Sequence, residues 1–411
     1  MSIRFTDFTL KPEDFYTSEF KEKAYSIYKH LRKEDPVHRM VTPEGRAMWL
    51  ISGYQDAHEI LKDNRFIKDS RKVFSVGNAE TIPPEVRKLN AMGYNMLTAD
   101  PPDHTRLRRL VQQAFTPKMI SQLQGRVQQI ADELLHEVQA NGEMDLIDDY
   151  AFPLPIIVIS EMLGVPREDR NKFRKWSDAL INGSNQLEDY QERVLPAMKA
   201  FMHYLHLLLD EHRKTPKDDL IGALLLAEEQ DDKLSAEELF GMIILLIIAG
   251  HETTVNVIGN GVLALLENPD EYEKLKANPT LIHTAVEEML RYYSPVEVTT
   301  ARWAGEDLEW KGRAFAKGDW VVVSLASANR DEKQFADPDQ FNISREKNRH
   351  LAFGTGIHHC VGAPLARLEG AIAINTLLQK LPDLTLKEDP ASLEWRAAFL
   401  MRGLKRLPVT F

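Results

Sequence analysis

The residues best equipped for chemistry surround a single sulfur. Cys360 is the only cysteine in 411 residues, so no intrachain disulfide can form. It lies in the run Phe353-Gly354-Thr355-Gly356-Ile357-His358-His359-Cys360-Val361-Gly362. Gly354 and Gly356 permit the left-handed turns that let a backbone approach a flat ligand closely. A helical pattern follows from Ala363 to Leu381, which puts the sulfur at or near a helix N-terminus, where the thiolate is favoured. A thiolate in such a place suits a soft metal; bound to iron, it pushes electron density toward dioxygen and favours O–O cleavage. Two other fates are open to a cysteine here: a buried structural role, or a zinc site with His358 and His359. Adjacent ligands strain tetrahedral geometry, and no second cysteine could join them.

Three further clusters stand out. Ala249-Gly250-His251-Glu252-Thr253-Thr254 falls in the middle of a long apolar stretch. Ala249 and Gly250 leave space over a flat group, and the Thr253 hydroxyl can bond the carbonyl of residue 249, disturbing the helix ladder. An acid beside an alcohol is costly in an apolar helix unless paired or functional. A solvated polar stripe is the plainer explanation, but the flank Met242–Ile248 is too apolar for it. Glu288-Met289-Leu290-Arg291 places an acid and a base at i and i+3, on one helix face, where they can pair. In Asp103-His104-Thr105-Arg106-Leu107-Arg108-Arg109, His104 and Arg108 share a face, while Arg106 and Arg109 are expected on a solvated one.

These groups need rigid supports, and the pattern supplies mostly helices. Apolar residues recur at helical spacing over Arg106–Phe115, Ile120–Gln139, Val194–Arg213, Ser235–Glu267 and Leu281–Tyr292. Ser235 and Glu238 form a capping box that opens the longest of them, and Asn268-Pro269 closes it. Val296–Ala304, Asp319–Leu325 and the C-terminal Leu400–Phe411 have strand character. The fold class is mainly α with a small β region. Segments 72–98 and 181–187 lack strong periodicity, and loops of that length often carry function.

The pattern Phe-Gly-x-Gly-x-His-x-Cys-x-Gly, matched here at every fixed position, resembles the haem-ligand signature of the cytochrome P-450 family. The other clusters stand in the family's order. The resemblance implies a cytochrome P-450 fold, with haem b (iron protoporphyrin IX) between the long central helix and the helix after the cysteine loop. Cys360 would be the iron ligand. Glu252 and Thr253 correspond to the family's acid–alcohol pair, which relays protons during oxygen activation. His104, Arg108, Arg302 and His358 match positions that hold the haem propionates, charges that a largely buried site must balance. Glu288 and Arg291 would lock the core structurally, with a partner from Asn329-Arg330-Asp331. Leu245, Ile248, Ala249, Val298, Phe399 and Leu400 match positions over the haem. That lining suits a small hydrophobic substrate such as a fatty acid, terpenoid, steroid or macrolide. Since one haem would touch both Arg108 and Cys360, residues 1–411 are expected to form one domain, although the length alone allows two or three.

Composition narrows the alternatives. With 43% hydrophobic and 27% charged residues, the chain can bury an ordinary core. A formal net charge of −11 argues against a nucleic-acid partner, but not against a local basic patch that docks a small acidic protein. The lone cysteine, the absence of an apolar signal core at the N-terminus, and a longest apolar run of only Met242–Ala249 favour a cytoplasmic protein with no membrane anchor. An iron–sulfur cluster would need several cysteines. The resemblance therefore implies electrons from a separate ferredoxin or flavodoxin with its NAD(P)H-dependent reductase, and a monomer is expected. A peroxide-driven haem-thiolate enzyme and a non-catalytic haem sensor are the competing functions. Neither has need of the acid–alcohol pair.

Overall fold

Ala47-Met48-Trp49-Leu50-Ile51 is buried at every position, the mark of a strand covered on both faces. The computed structural model describes residues 10–74, 93–181, 190–230 and 234–411. In it this run is β2 of a five-stranded sheet, with β1 (Val37–Val41), β2 (Ala47–Ile51), β3 (Phe66–Ile67), β4 (Arg302–Ala304) and β5 (Trp320–Val323). Their spatial order is β1-β2-β5-β4-β3, with β2 and β5 parallel from Met48↔Trp320 to Ile51↔Val323. Because strand side chains alternate, Trp49, Ile51, Val321 and Val323 enter one core cluster with Ile60, Phe66 and Phe315. Met48, Leu50 and Val322 enter another with Phe15, Phe20 and Tyr28.

The helices that support the chemistry are α1 (Ser18–Glu34), α2 (Asp103–Ala114), α3 (Pro117–Val138), α4 (Ala236–Leu266), α5 (Ile282–Tyr292) and α6 (Ala363–Lys380). The capping box at the start of α4 forms as its sequence predicts: Glu238 N donates to Ser235 Oγ at 3.1 Å, and Ser235 N donates to the Glu238 carboxylate at 2.9 Å. Pro269 ends up as the first residue of the next helix, after the Asn268 side chain has capped the Ala264 carbonyl at 2.7 Å. Helices α3 and α6 are tied by Gln128 to Thr376 at 2.9 Å and Lys380 to Asp132 at 2.7 Å.

The chain divides into two compact units. One comprises Met1–Ser75, Gly259–Cys360 and Thr385–Val409; the other comprises Val76–Ile258, Val361–Leu384 and Thr410–Phe411. Neither is a contiguous stretch of sequence.

Three expectations need correction. Val296–Ala304 is a strand only at Arg302–Ala304. Upstream, Glu297 N and Val298 N turn to the Leu400 carbonyl while Thr299 N turns to that of Val323, so no ladder can run through. The C-terminal strand is likewise confined to Pro408–Thr410. The apolar run of α4 is also longer than Met242–Ala249: Glu237–Leu266 is long and apolar enough to cross a membrane by length and composition. The protein buries 72% of its apolar window, which makes it a core helix. Of the two aperiodic segments, residues 75–92 and 182–187 lie outside the described residues.

Candidate active site

In the first unit the cysteine loop is built on two left-handed glycines, Gly354 at φ 66° and Gly356 at φ 75°. Cys360 N donates to the Phe353 carbonyl at 2.9 Å, closing the loop. A Cβ on Gly356 would lie 2.9 Å from the Leu61 carbonyl oxygen, so that approach demands glycine. Cys360 is an exposed thiol outside any disulfide, three residues before α6, and His358 is half-buried.

The loop is anchored from behind. Arg291 donates twice to Glu288 at 2.8 Å and also to the carbonyls of Asn329, Pro338 and Gln340. Asn329 in turn takes the Leu351 N–H at 2.6 Å, two residues before Phe353. The expected partner in Asn329-Arg330-Asp331 is thus the Asn329 carbonyl. Arg330 lies elsewhere, with its guanidinium 3.9 and 3.7 Å from the ring centroids of Tyr25 and Tyr292. Arg345 and Asn348 also converge on Glu288. The sequence pattern does not reveal them, because they follow Glu288 by 57 and 60 residues. Arg302, buried on β4, donates to the Phe66 carbonyl at 3.3 Å.

In the second unit, two threonines of α4 bond back to the helix carbonyls four residues earlier. Thr253 Oγ1 donates to the Ala249 carbonyl at 2.6 Å, and Thr254 Oγ1 donates to that of Gly250 at 3.1 Å. Ala249 is exposed in the middle of a mostly buried helix, with Leu245 and Ile248 half-buried beside it. A Cβ on Gly250 would meet no atom within 4 Å. Glu252 is buried. His251 Nε2 bonds the Phe152 carbonyl at 3.1 Å, away from this chemistry.

On α2, His104 is buried, Arg108 half-buried and Arg109 exposed. Arg106 departs from the solvated role expected of it: it pairs with Glu238 of the capping box. Val298 also departs from expectation. It has no accessible surface and packs with Val322 and Phe399 in the core, so it offers nothing to a ligand. Phe399 stacks on Trp320 at 5.4 Å, and Leu400 is half-buried beside it.

One group escaped the sequence reading. Glu369, on α6, is 2% exposed. Burial raises its pKa to about 8, offset in part by a hydrogen bond with Thr254. Its neighbours at i±3 and i±4 are Leu365, Ala366, Ile372 and Ala373. That apolar surround is the signal that could have found it.

Comparison with known proteins decides the family. The cytochrome P450 family model matches residues 15–405. The chain belongs to the cytochrome P450 family. A Bacillus subtilis cytochrome P450 is 49% identical over 392 residues, covering 95% of each chain. The structure of the P450 PksS of the bacillaene polyketide synthase from the same species superposes with a TM-score of 0.90 at 43% identity, covering 98% of this chain and 99% of that one. The vitamin D(3) 25-hydroxylase of Pseudonocardia autotrophica is 42% identical over 398 residues, covering 97% of this chain and 96% of that one. This P450 is therefore a haem b monooxygenase of the bacterial type. Groups within the first unit fit the cofactor: an exposed thiol on a glycine-cradled loop and the buried Arg302 guanidinium.

Proposed function

We propose that this P450 hydroxylates a small hydrophobic molecule with electrons from a separate ferredoxin or flavodoxin and its NAD(P)H-dependent reductase. Residues 1–411 work as one haem-thiolate domain. Cys360 holds the iron, and His104, Arg108, Arg302 and His358 hold the propionates. Haem b, when bound, supplies the activation of dioxygen. The protein's own residues bind the substrate and govern protons. Leu245, Ile248 and Ala249 offer an apolar strip along α4 with no charged anchor, which suits a fatty acid, terpenoid, steroid or macrolide. The relatives' names agree with that range, since one acts in polyketide biosynthesis and another on vitamin D(3).

The observation that carries the mechanism is the Thr253–Ala249 hydrogen bond beside exposed Ala249. Spending the hydroxyl proton on a helix carbonyl leaves the Thr253 oxygen free to accept, and so to order a water at the opening. Glu252, the next residue back, supplies and recovers the proton. A positioned acid–base group contributes roughly 10²–10⁴-fold to such a step. Thr253→Ala is expected to bind substrate and haem normally but to divert NADPH into hydrogen peroxide. The product formed per NADPH, with peroxide counted separately, checks this, using a substrate without hydroxyls found by a spectral binding screen. Wild-type coupling in Thr253→Ala would remove the relay assignment.

A further inference from the structure

Glu252 has a neighbour that neither the fold nor the relay accounts for. Asn256 lies one turn further along α4, at i+4 from Glu252 and i+3 from Thr253, on the same helix face. It is 2% exposed, and its Nδ2 makes no hydrogen bond. A buried amide donor left unsatisfied is destabilising, and leucine or valine would pack here at no such cost. Asparagine side chains at this spacing do hydrogen-bond acidic or amide partners across a helical turn. The donor is therefore available to a carboxylate that reaches it for only part of the cycle.

We infer that Asn256 is a positioning residue for Glu252, catching its carboxylate after it has given up its proton. This rests on the relay reading above. The O–H bond of the Glu252 carboxyl breaks, its proton passes to the water ordered by Thr253, and that water hands on one of its own protons at the opening beside Ala249. The negative charge left on Glu252 is met by the Asn256 N–H. Reprotonation from solvent restores the acid and releases the amide. Nothing is oxidised or reduced in this exchange. The amide lowers the energy of the ionised form and keeps it on the face it shares with Ala249 and Thr253.

The test uses the haem-loaded enzyme with its redox partners and two variants. Asn256→Leu removes the orphaned donor and is expected to fold at least as well; Asn256→Ala removes the donor without adding a new titrating group. A charge-assisted hydrogen bond lost from the proton-transfer step lowers kcat by about tenfold or more. KM should be unchanged and the solvent deuterium isotope effect on kcat should rise. A second readout is infrared: the Glu252 carboxyl bands, assigned by their loss in Glu252→Gln, should shift in both variants. An unchanged isotope effect and unshifted bands in either variant would make Asn256 merely structural and overturn the inference. If Glu252→Gln itself leaves rate and isotope effect at wild-type values, the relay reading fails first. That outcome is read from a different protein.

Discussion

The Glu369 carboxyl meets the Thr254 hydroxyl from α6, sealed from solvent, while the Thr254 hydroxyl donates a hydrogen bond to the Gly250 carbonyl at 3.1 Å. Burial favours the neutral carboxyl, and the Thr254 hydrogen bond works against it in part. Thr253, whose hydroxyl bond runs to Ala249, is the adjacent residue.

That burial has a consequence for stability against pH. Below the carboxyl's ordinary value of 4.5 both the folded and unfolded chains hold the proton. Between 4.5 and about 8 only the folded protein keeps it, so stability falls as pH rises through this window. The slope is up to about 1.4 kcal/mol per pH unit. Glu369→Gln, which cannot ionise, should lose that slope and gain more over wild type at pH 7.5 than at pH 5. Denaturant unfolding at pH 5 and pH 7.5 measures the difference. A gain equal at both values would mean that the carboxyl is not buried in its neutral form.

Much of this was legible in the sequence, and what was not has a physical reason. The motif residues and helix ends are local signals. Ser235, Glu238 and Asn268 form the caps that their types predict, because a cap is decided within four residues. Glu297 is different. In sequence it is a polar residue in a strand-like run. In the fold it is fully buried, bound to Lys21 at 2.8 Å and Tyr28 at 2.7 Å, partners 276 and 269 residues away. No periodicity carries such a pairing. Arg106 was misplaced for the same reason, since Glu238 lies 132 residues downstream. Val298 was misassigned because a strand-like alternation cannot tell a face toward a ligand from one toward a core cluster.

The Glu288–Arg291 pair is the loop's rear anchor, and removing half of it leaves a buried charge. Arg291→Ala should destabilise the protein by about 3–5 kcal/mol. Arg291→Lys should recover little, because a single ammonium cannot copy a bidentate fork and three further carbonyl bonds. Denaturant midpoints and the fraction of protein that retains haem check both. A loss below 1 kcal/mol in Arg291→Ala would refute the anchoring role.

Gly356→Ala forces a Cβ against the Leu61 carbonyl in a left-handed backbone. Strain of this type costs about 1–3 kcal/mol, and here it falls on the loop that carries the iron ligand. The carbon monoxide spectrum of the reduced variant should lose part of its thiolate-type band. Gly45→Ala is the control, with φ 80° but nothing within 4 Å of an added Cβ. It should lose some stability and keep the full band. Identical spectra for the two variants would show that the Leu61 contact does not govern the loop.

Arg402 donates to the Lys21 carbonyl at 2.8 Å, a bond that spans 381 residues and joins α1 to the chain's last segment. During synthesis, α1 emerges from the ribosome almost a whole chain length before its partner exists. The first unit cannot close until Thr385–Val409 has been translated and released from the exit tunnel. Until then the Cys360 loop belongs to an unfinished unit. The Lys21 carbonyl therefore gains this partner only when nearly the whole chain is available.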